Sequence, residues 1–548
     1  MKRRSFVLSM LSPLVLAACG GGDPKENPPP PGPLTGKDAA LDAMRRAATF
    51  MSEEVAYEGG YVWSYLPDLS RSWGEMEAKR TMLWVQPPGT PSMGHSYLDA
   101  YHATGDELFY KAAEQVALAL IEAQHPAGGW NYIYDFAGEA SLIDWYDTFG
   151  KNGWRLEEFQ HYYGNATFDD AGTAVASQFL LRMYLEKKDE KFRGPLDKAI
   201  SFVTTAQYPE GGWPQRFPLM GDNYTAYVTF NDDVAGENIK FLIMCMLSLG
   251  KTELLDNIQR AMDNFVALQQ PMPQPAWGLQ YLDGKPVGAR TYEPDAFTTH
   301  TTATNLNQLM NFYTLTGDSK YLARVPEAID WLDTLWLPMD LQQAWDRTHP
   351  TFVEIGTNDA LFVHRSGSNV VNGKYYADKN PEKAIGHYSP GRKIDVAGLR
   401  KRYEDLKAKP VGEVTAGSPL MAKGPVELPR YFSLREVSLD DLFEGRKMTT
   451  TPVTDEDAKA LVDALDARGY WPVEIGLTTN PYKGDPPDTP YDMDTYASTH
   501  VGDEWDTSPY DTEKPPTTYE AKPQPVGITV DSYIKNIGAL IAYIAPIE

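Results

Sequence analysis

The chain has 548 residues, more than one ordinary domain of about 100–200 residues, so a large repeat architecture or several domains is expected. With 42% apolar and 23% charged residues it can bury a large core, which excludes wholesale disorder. Fifty Lys and Arg against 75 Asp and Glu give a formal net charge of −25, which excludes a nucleic-acid partner and adhesion to anionic lipid, since both need a basic surface.

The first elements are processing signals. Met1-Lys2-Arg3-Arg4 is a basic start, Ser5 to Val15 is a short apolar run, and Leu16-Ala17-Ala18-Cys19 places small residues before a cysteine. The run is too short to span a bilayer. The pattern resembles a bacterial lipobox, so residues 1–19 read as a lipoprotein signal with Cys19 as the acylated residue. A plain secretory signal is the alternative. The lipobox reading expects a lipid-anchored protein of the bacterial cell envelope, touching membrane only through that anchor. Residues 20–36 are Gly- and Pro-rich and read as a tether. The other cysteine, Cys245, lies in an apolar run and reads as a small buried hydrophobe.

From residue 37 a repeat emerges. An apolar-periodic stretch around Tyr97–Tyr101, the turn Thr104-Gly105-Asp106 and a second stretch over 112–123 lead to a loop ending in Gly128-Gly129-Trp130. The unit recurs over 169–213, closing on Gly211-Gly212-Trp213, and over 232–277, closing on Pro275-Ala276-Trp277. A fourth copy begins near Thr301 and carries Thr316-Gly317-Asp318. Each unit predicts two helices with a period of 3.6 residues. Hairpins of this kind share a core only when stacked, so the expected fold is all-α: an α/α toroid, or an incomplete one, over 37–368. Residues 369–527 read as an insertion plus an irregular acidic, Pro-rich segment. Residues 528–548 read as a terminal helix docking back. A monomer is expected.

Several familiar catalytic signatures are missing: no HExxH, GxSxG, P-loop or CxxC occurs. What stands out is an acidic block repeated at two helix starts, Thr167-Phe168-Asp169-Asp170-Ala171 and Thr229-Phe230-Asn231-Asp232-Asp233. Helix capping accounts for one Asp at each start. It leaves two or three consecutive polar groups and the preceding aromatic without a reason, whereas hard oxygen ligands from neighbouring repeats suit Ca²⁺. Further constellations are Arg290-Thr291-Tyr292-Glu293 and the run from Phe352 to Arg365. Trp130, Trp213, Trp277 and Tyr292 either stack sugar rings or lock one hairpin to the next.

As an ordered set these blocks, with 84–91 (WVQPPGTP) and Gly212-Trp213-Pro214-Gln215-Arg216, resemble the family-ten pectate lyases, the pectic acid lyases, over roughly residues 60–365. The resemblance implies β-elimination on a polyuronate with Ca²⁺ as cofactor. It implies Arg290 as base, Asp169, Asp170 and Asp232 for the metal, and Arg365 for substrate. Arg216, Asn231, Trp213 and Tyr292 join Arg365 as expected substrate contacts. An arginine base has a pKa above about 12, so activity is expected to rise towards alkaline pH, with Tyr292 or His300 as the alternative base. The chain departs from the family's pattern after Pro294 and at Asp359, both beside the expected site. Two other functions fit the same residues: an inverting glycoside hydrolase using Asp169 or Asp170 with Glu293, and a non-catalytic glycan-binding lipoprotein.

Overall fold

A computed structural model describes residues 35–150, 157–366, 374–382, 384, 388–422, 424–475 and 526–545. The signal and lipidation reading at Cys19, most of the tether and the acidic segment 483–525 lie outside the described residues.

The fold is mostly helical. After α1 (Gly36–Phe50), helices come in antiparallel pairs: α2 (Thr90–Thr104) with α3 (Glu107–Glu122), and, after α4 (Glu139–Thr148), α5 (Gly172–Lys187) with α6 (Glu190–Ala206). Then follow α7 (Val234–Leu249) with α8 (Leu255–Leu268), and α9 (Thr299–Thr316) with α10 (Val325–Leu332). The two members of a pair differ in burial, and the difference follows from composition. In α8 the apolar residues Ile258, Ala261, Met262, Phe265 and Leu268 form a single buried stripe. In α5 every residue from Ala176 to Tyr184 is buried, and in α7 every residue from Asn238 to Cys245. The first helix of each pair is therefore interior and the second is a half-exposed outer layer. A terminal helix (Val530–Ile544) packs against α1 and α2, burying Tyr533, Ile537, Leu540 and Ile541.

The loops that close the hairpins repeat atom for atom. Trp130, Trp213 and Trp277 are fully buried, and their indole N–H groups donate to Leu120, Val203 and Phe265 carbonyls at 2.7, 2.8 and 3.0 Å. Gln124, Gln207 and Gln269 each tie their own loop to the next outer helix or its approach, through the carbonyls of Pro195, Asn257 and Arg324. Each Trp thus locks its loop to the helix before it, and each Gln links that loop onward. Asp106, Asp189 and Asp318 cap the turns at the opposite end of the pairs.

Short antiparallel strands join this helical frame. Residues 64–65, 72–73 and 77–78 pair with Val526–Thr529 and Val473–Glu474 in one five-stranded sheet, which anchors the start of the terminal helix. Ala296–Thr298, Phe352–Glu354, Ala360–Ser366 and Lys374–Asp378 make a four-stranded sheet beside α9. Helical periodicity carries no sign of these strands, because they are only two to seven residues long.

Residues 430–433 are pinned to the interior helices α2 and α5. Asp99 accepts hydrogen bonds from the Phe432 and Ser433 N–H groups at 2.9 and 2.7 Å and from the Ser433 hydroxyl at 2.7 Å. Its other oxygen takes Arg182 at 2.6 Å, both side chains being buried. The Arg182 guanidinium lies 4.3 Å from the Phe432 ring centroid, and His95 stacks on the same ring. Removing one partner leaves a buried charge alone. Asp99→Ala is expected to destabilise the protein by about 3–5 kcal/mol, measured by chemical denaturation, whereas Lys459→Ala, which breaks the exposed pair with Asp463, should cost under about 1 kcal/mol.

Candidate functional site

The two acidic blocks adopt one backbone conformation. In each, a threonine hydroxyl (Thr167, Thr229) accepts from the N–H two residues on, and a single 3₁₀ turn follows. Asp170 and Ala171 have φ of +49° and +56°, and Asp232 and Asp233 have φ of +48° and +53°. Two successive left-handed residues other than glycine cost of order 1 kcal/mol each. None of these side chains makes a capping hydrogen bond. Capping therefore does not explain the acids. The strain instead turns Asp169, Asp170 and Asp232 towards each other, with one carboxylate oxygen from each lying within 4.8 Å of the others.

Asp169 is fully buried and is the hub. Its Oδ2 accepts from the Tyr132 hydroxyl, from Gln215 Nε2 at 2.9 Å and from Arg290 Nη2, while Oδ1 is buried without a partner among the described residues. Asn231 Nδ2 donates to Asp232 at 2.8 Å. The Gln86 amide, oriented by Trp84 Nε1, donates both to Asp170 at 2.8 Å and to Glu75 at 2.9 Å. Arg290 is buried and also pairs with Glu293 at 3.2 Å and Glu158 at 3.4 Å. The Tyr388 hydroxyl, from the segment after the four-stranded sheet, donates to Glu293 at 2.7 Å.

Six carboxyls thus gather round one guanidinium. Burial and the charges of Asp232, Asp169, Glu75 and Glu158 hold the Asp170 carboxyl well above its ordinary range. Asp232, though open to solvent along one side, is raised by desolvation of its carboxyl and by Asp169. Glu75 is pushed up to about 8 by burial and by Glu158. Asp169 goes the other way: burial would raise it, but Arg290, Tyr132 and neighbouring hydrogen bonds hold it below its usual value. Burial disfavours the charge on Arg290, yet Asp169, Tyr292, Glu158 and Glu293 overcome this and hold its proton more firmly than usual.

The expected residues fare differently. Asp169, Asp170, Asp232, Asn231 and Arg290 come together at this point. Trp213 has no exposed surface, so it is a core lock and cannot stack a sugar ring. Tyr292 is 1% exposed and spends its hydroxyl on Glu158 at 3.0 Å, which makes it a support for the site's wall, not a platform. Arg216 lies beside the cluster, over the Tyr132 ring. Arg365 falls in the strand Ala360–Ser366, paired with Tyr375, and its side chain lies outside the described residues. Sequence reasoning missed Glu75, Glu158 and Tyr388, which sit in irregular stretches. It quoted Gln86 and Gln215 in motifs without giving them work.

Residues 144–335 match the family model described as pectic acid lyase. Over that stretch, about a third of the chain, the sequence is similar to the pectic acid lyases, and the match supports a polysaccharide lyase. A search of curated proteins finds no match. Among solved structures, a mutant family 10 polysaccharide lyase from Cellvibrio cellulosa in complex with trigalacturonic acid is 17% identical, covering 58% of this chain and 98% of that chain, with a TM-score of 0.40. The GH76A α-1,6-mannanase from Salegentibacter sp. HEL1_6 is 13% identical over 55% of this chain and 70% of its own, with a TM-score of 0.32.

His300, the alternative base, is buried beside Tyr388 and pushed down to about 3 by burial and by Arg392. The unfolded chain takes up a proton near the ordinary histidine pKa while the buried ring refuses it. Stability is therefore fully present above about pH 6.5 and declines as the pH falls towards about 3, by up to about 1.4 kcal/mol per unit from this group. Urea titrations at pH 7, 6, 5 and 4 should show a shallower decline in His300→Gln than in the parent.

Proposed function

We propose that the protein cleaves a pectate-like polyuronate by Ca²⁺-assisted β-elimination, and that it does so as a lipoprotein anchored in the cell envelope through Cys19. The observation that supports the reaction most directly is the meeting of Asp169, Asp170 and Asp232 with Arg290 inside the segment that matches the pectic acid lyases. In the reaction the base takes the proton α to a uronate carboxylate, a C4–C5 double bond forms, and the C4–O bond breaks with its electron pair going to the leaving oxygen, which takes a proton from water. Negative charge grows on the substrate carboxylate as the proton departs, and positive groups fixed in a desolvated site lower the barrier.

The residues fit a hard divalent cation. All donors are oxygens, and the buried Asp169 Oδ1 has no hydrogen-bond partner among the described residues. Asp169, Asp170 and Asp232 would hold Ca²⁺, which supplies neutralisation of the uronate carboxylate. Asn231 orients Asp232, and Gln86 and Gln215 orient Asp170 and Asp169. Arg290 stands as the base. Its three carboxylate partners hold it protonated, so the grip of Asp169 has to relax before the guanidine can take a proton, and alkaline pH favours that state.

The inverting-hydrolase reading has one observation in its favour. Asp169 is lowered while Glu293 is raised by burial, and carboxyls pushed apart in this way suit acid–base hydrolysis. The products separate the two. On polygalacturonate with Ca²⁺, ultraviolet absorbance of an unsaturated product should rise, stop with a chelator, and be lost in Arg290→Ala with an unchanged melting temperature. New reducing ends without absorbance would establish the hydrolase.

A second test follows from the raised carboxyls. Burial and neighbouring carboxylates make Asp170, Asp232 and Glu75 hold protons more firmly than ordinary carboxyls, and a cation favours their ionised forms. Ca²⁺ binding should therefore release protons and tighten as pH rises from 6 to 8. Calorimetry in two buffers of different ionisation enthalpy measures this release, and Asp232→Asn should weaken binding by about tenfold or more.

A further inference from the structure

Arg290 sits on a loop that regular structure does not hold. Residues 288–295 carry no helix or strand, and the flanking strands Lys285–Val287 and Ala296–Thr298 belong to different sheets. Within the loop the ties are local: the Glu293 N–H donates to the Arg290 carbonyl at 2.9 Å, and the Arg290 N–H donates to the Glu293 carboxylate at 3.0 Å. A further grip comes from far away in sequence. Glu157 and Glu158, neighbours on a single 3₁₀ turn (Glu157–Phe159), reach Thr291 and Tyr292, neighbours on the loop. Glu157 Oε2 accepts from the Thr291 N–H at 2.9 Å and from the Thr291 hydroxyl, and Glu158 accepts from the Tyr292 hydroxyl at 3.0 Å.

The turn that carries these acids is itself fixed. Phe159 is fully buried, its ring centroid 5.0, 5.6 and 6.0 Å from those of Tyr132, Trp84 and Trp145. Tyr132 donates its hydroxyl to Asp169, and Trp84 orients Gln86. One aromatic cluster therefore sets both sides of the Arg290–Asp169 contact, Asp169 through Tyr132 and the Arg290 loop through Phe159 and its two acids. Those acids differ in what they do. Glu158 is buried and faces Arg290 Nε at 3.4 Å, so it sets charge as well as position. Glu157 is half-buried and spends its carboxylate on Thr291, which carries no charge. A carboxylate that takes both donors of one residue restrains its backbone and its side chain together, and such charge-assisted bonds are about twice as strong as neutral ones.

We propose that Glu157 is a positioning residue, which holds the Arg290 loop at Thr291 and so keeps the guanidinium in register with Asp169, Asp170 and Asp232. This rests on the reading of Arg290 as base and deepens it. Without Glu157 both Thr291 donors turn to water, so the fold is kept while the loop gains freedom. Displacing a reacting group by about 1 Å costs on the order of a hundredfold in rate. The loss falls on turnover and not on capture of the polymer or of Ca²⁺, because Glu157 is bonded to Thr291 and not to the acidic cluster.

The test joins steady-state rates of the full chain on polygalacturonate, read as unsaturated product with saturating Ca²⁺, to hydrogen exchange of the 288–293 peptide. In Glu157→Ala kcat should fall about ten- to a hundredfold while KM changes by less than about twofold. The melting temperature and the calorimetric Ca²⁺ affinity should match the parent, and exchange should quicken over 288–293 alone. Thr291→Val, which removes only the hydroxyl, should lose less, and Thr291→Ser should keep the parent's rate. Glu157→Ala combined with Thr291→Val should lose no more than Glu157→Ala by itself, because both remove one contact. Parent-like kcat in a folded Glu157→Ala overturns the role, and so does a loss that lies wholly in KM. If Glu157→Ala does not fold, parent-like kcat and exchange in Thr291→Val overturn it instead. The reaction is judged separately on the unaltered protein. Quickened exchange in Glu157→Ala with no unsaturated product from the parent keeps the clamp and removes the lyase, and product from the parent with unchanged exchange in the variant does the reverse.

Discussion

The structure of the site depends on one crowded contact, that of Arg290 with Asp169. A guanidinium buried in protein needs anions, and a buried aspartate needs donors; each satisfies the other, with Glu158, Glu293, Tyr132 and Gln215 filling the remaining positions. The pair also sets the balance around it. Because Asp169 takes the guanidinium, burial and mutual repulsion act on Asp170, Asp232 and Glu75 with less to offset them, and their carboxyls are raised above the ordinary range. On the proposed reading a bound cation would take the place of protons on these carboxyls.

The backbone that achieves this is the repeat itself. Successive interior helices begin at equivalent heights, so a turn used twice brings its side chains to one point. The left-handed pairs at Asp170–Ala171 and Asp232–Asp233 are the cost of that convergence, offset by the rigid frame below. The Trp and Gln residues of each closing loop provide the frame, tying every hairpin to its neighbours through buried hydrogen bonds. Strain of this sort persists only where packing over-determines the chain, which is why it sits on fully buried helices and not on a free loop.

How much of this was legible in the sequence differs from residue to residue, for physical reasons. The hairpins were legible because a 3.6-residue period is a property of neighbouring residues. The duplicated acids were legible because the repeat supplied an internal comparison, and the left-handed turns then decided between capping and convergence. The Trp residues were visible but ambiguous, since an aromatic in a loop serves a core or a sugar equally well until its burial is known. Glu75, Glu158 and Tyr388 were invisible: each reaches the site from an irregular stretch through contacts of long sequence separation, for which no local pattern exists. The short strands escaped for the same reason, their pairing being a matter of partners and not of period.

The net charge of −25 poses the remaining problem, because an acidic protein repels an acidic polymer. The repulsion is a long-range quantity, and at physiological salt it fades beyond about 8 Å. What decides capture is the field inside the cleft, where water is scarce and screening is weak. On the proposed reading the buried Arg290 and the oxygen cluster of Asp169, Asp170 and Asp232 act at that short range, so the acidic exterior lowers the rate of encounter and leaves the chemistry at the site to those groups.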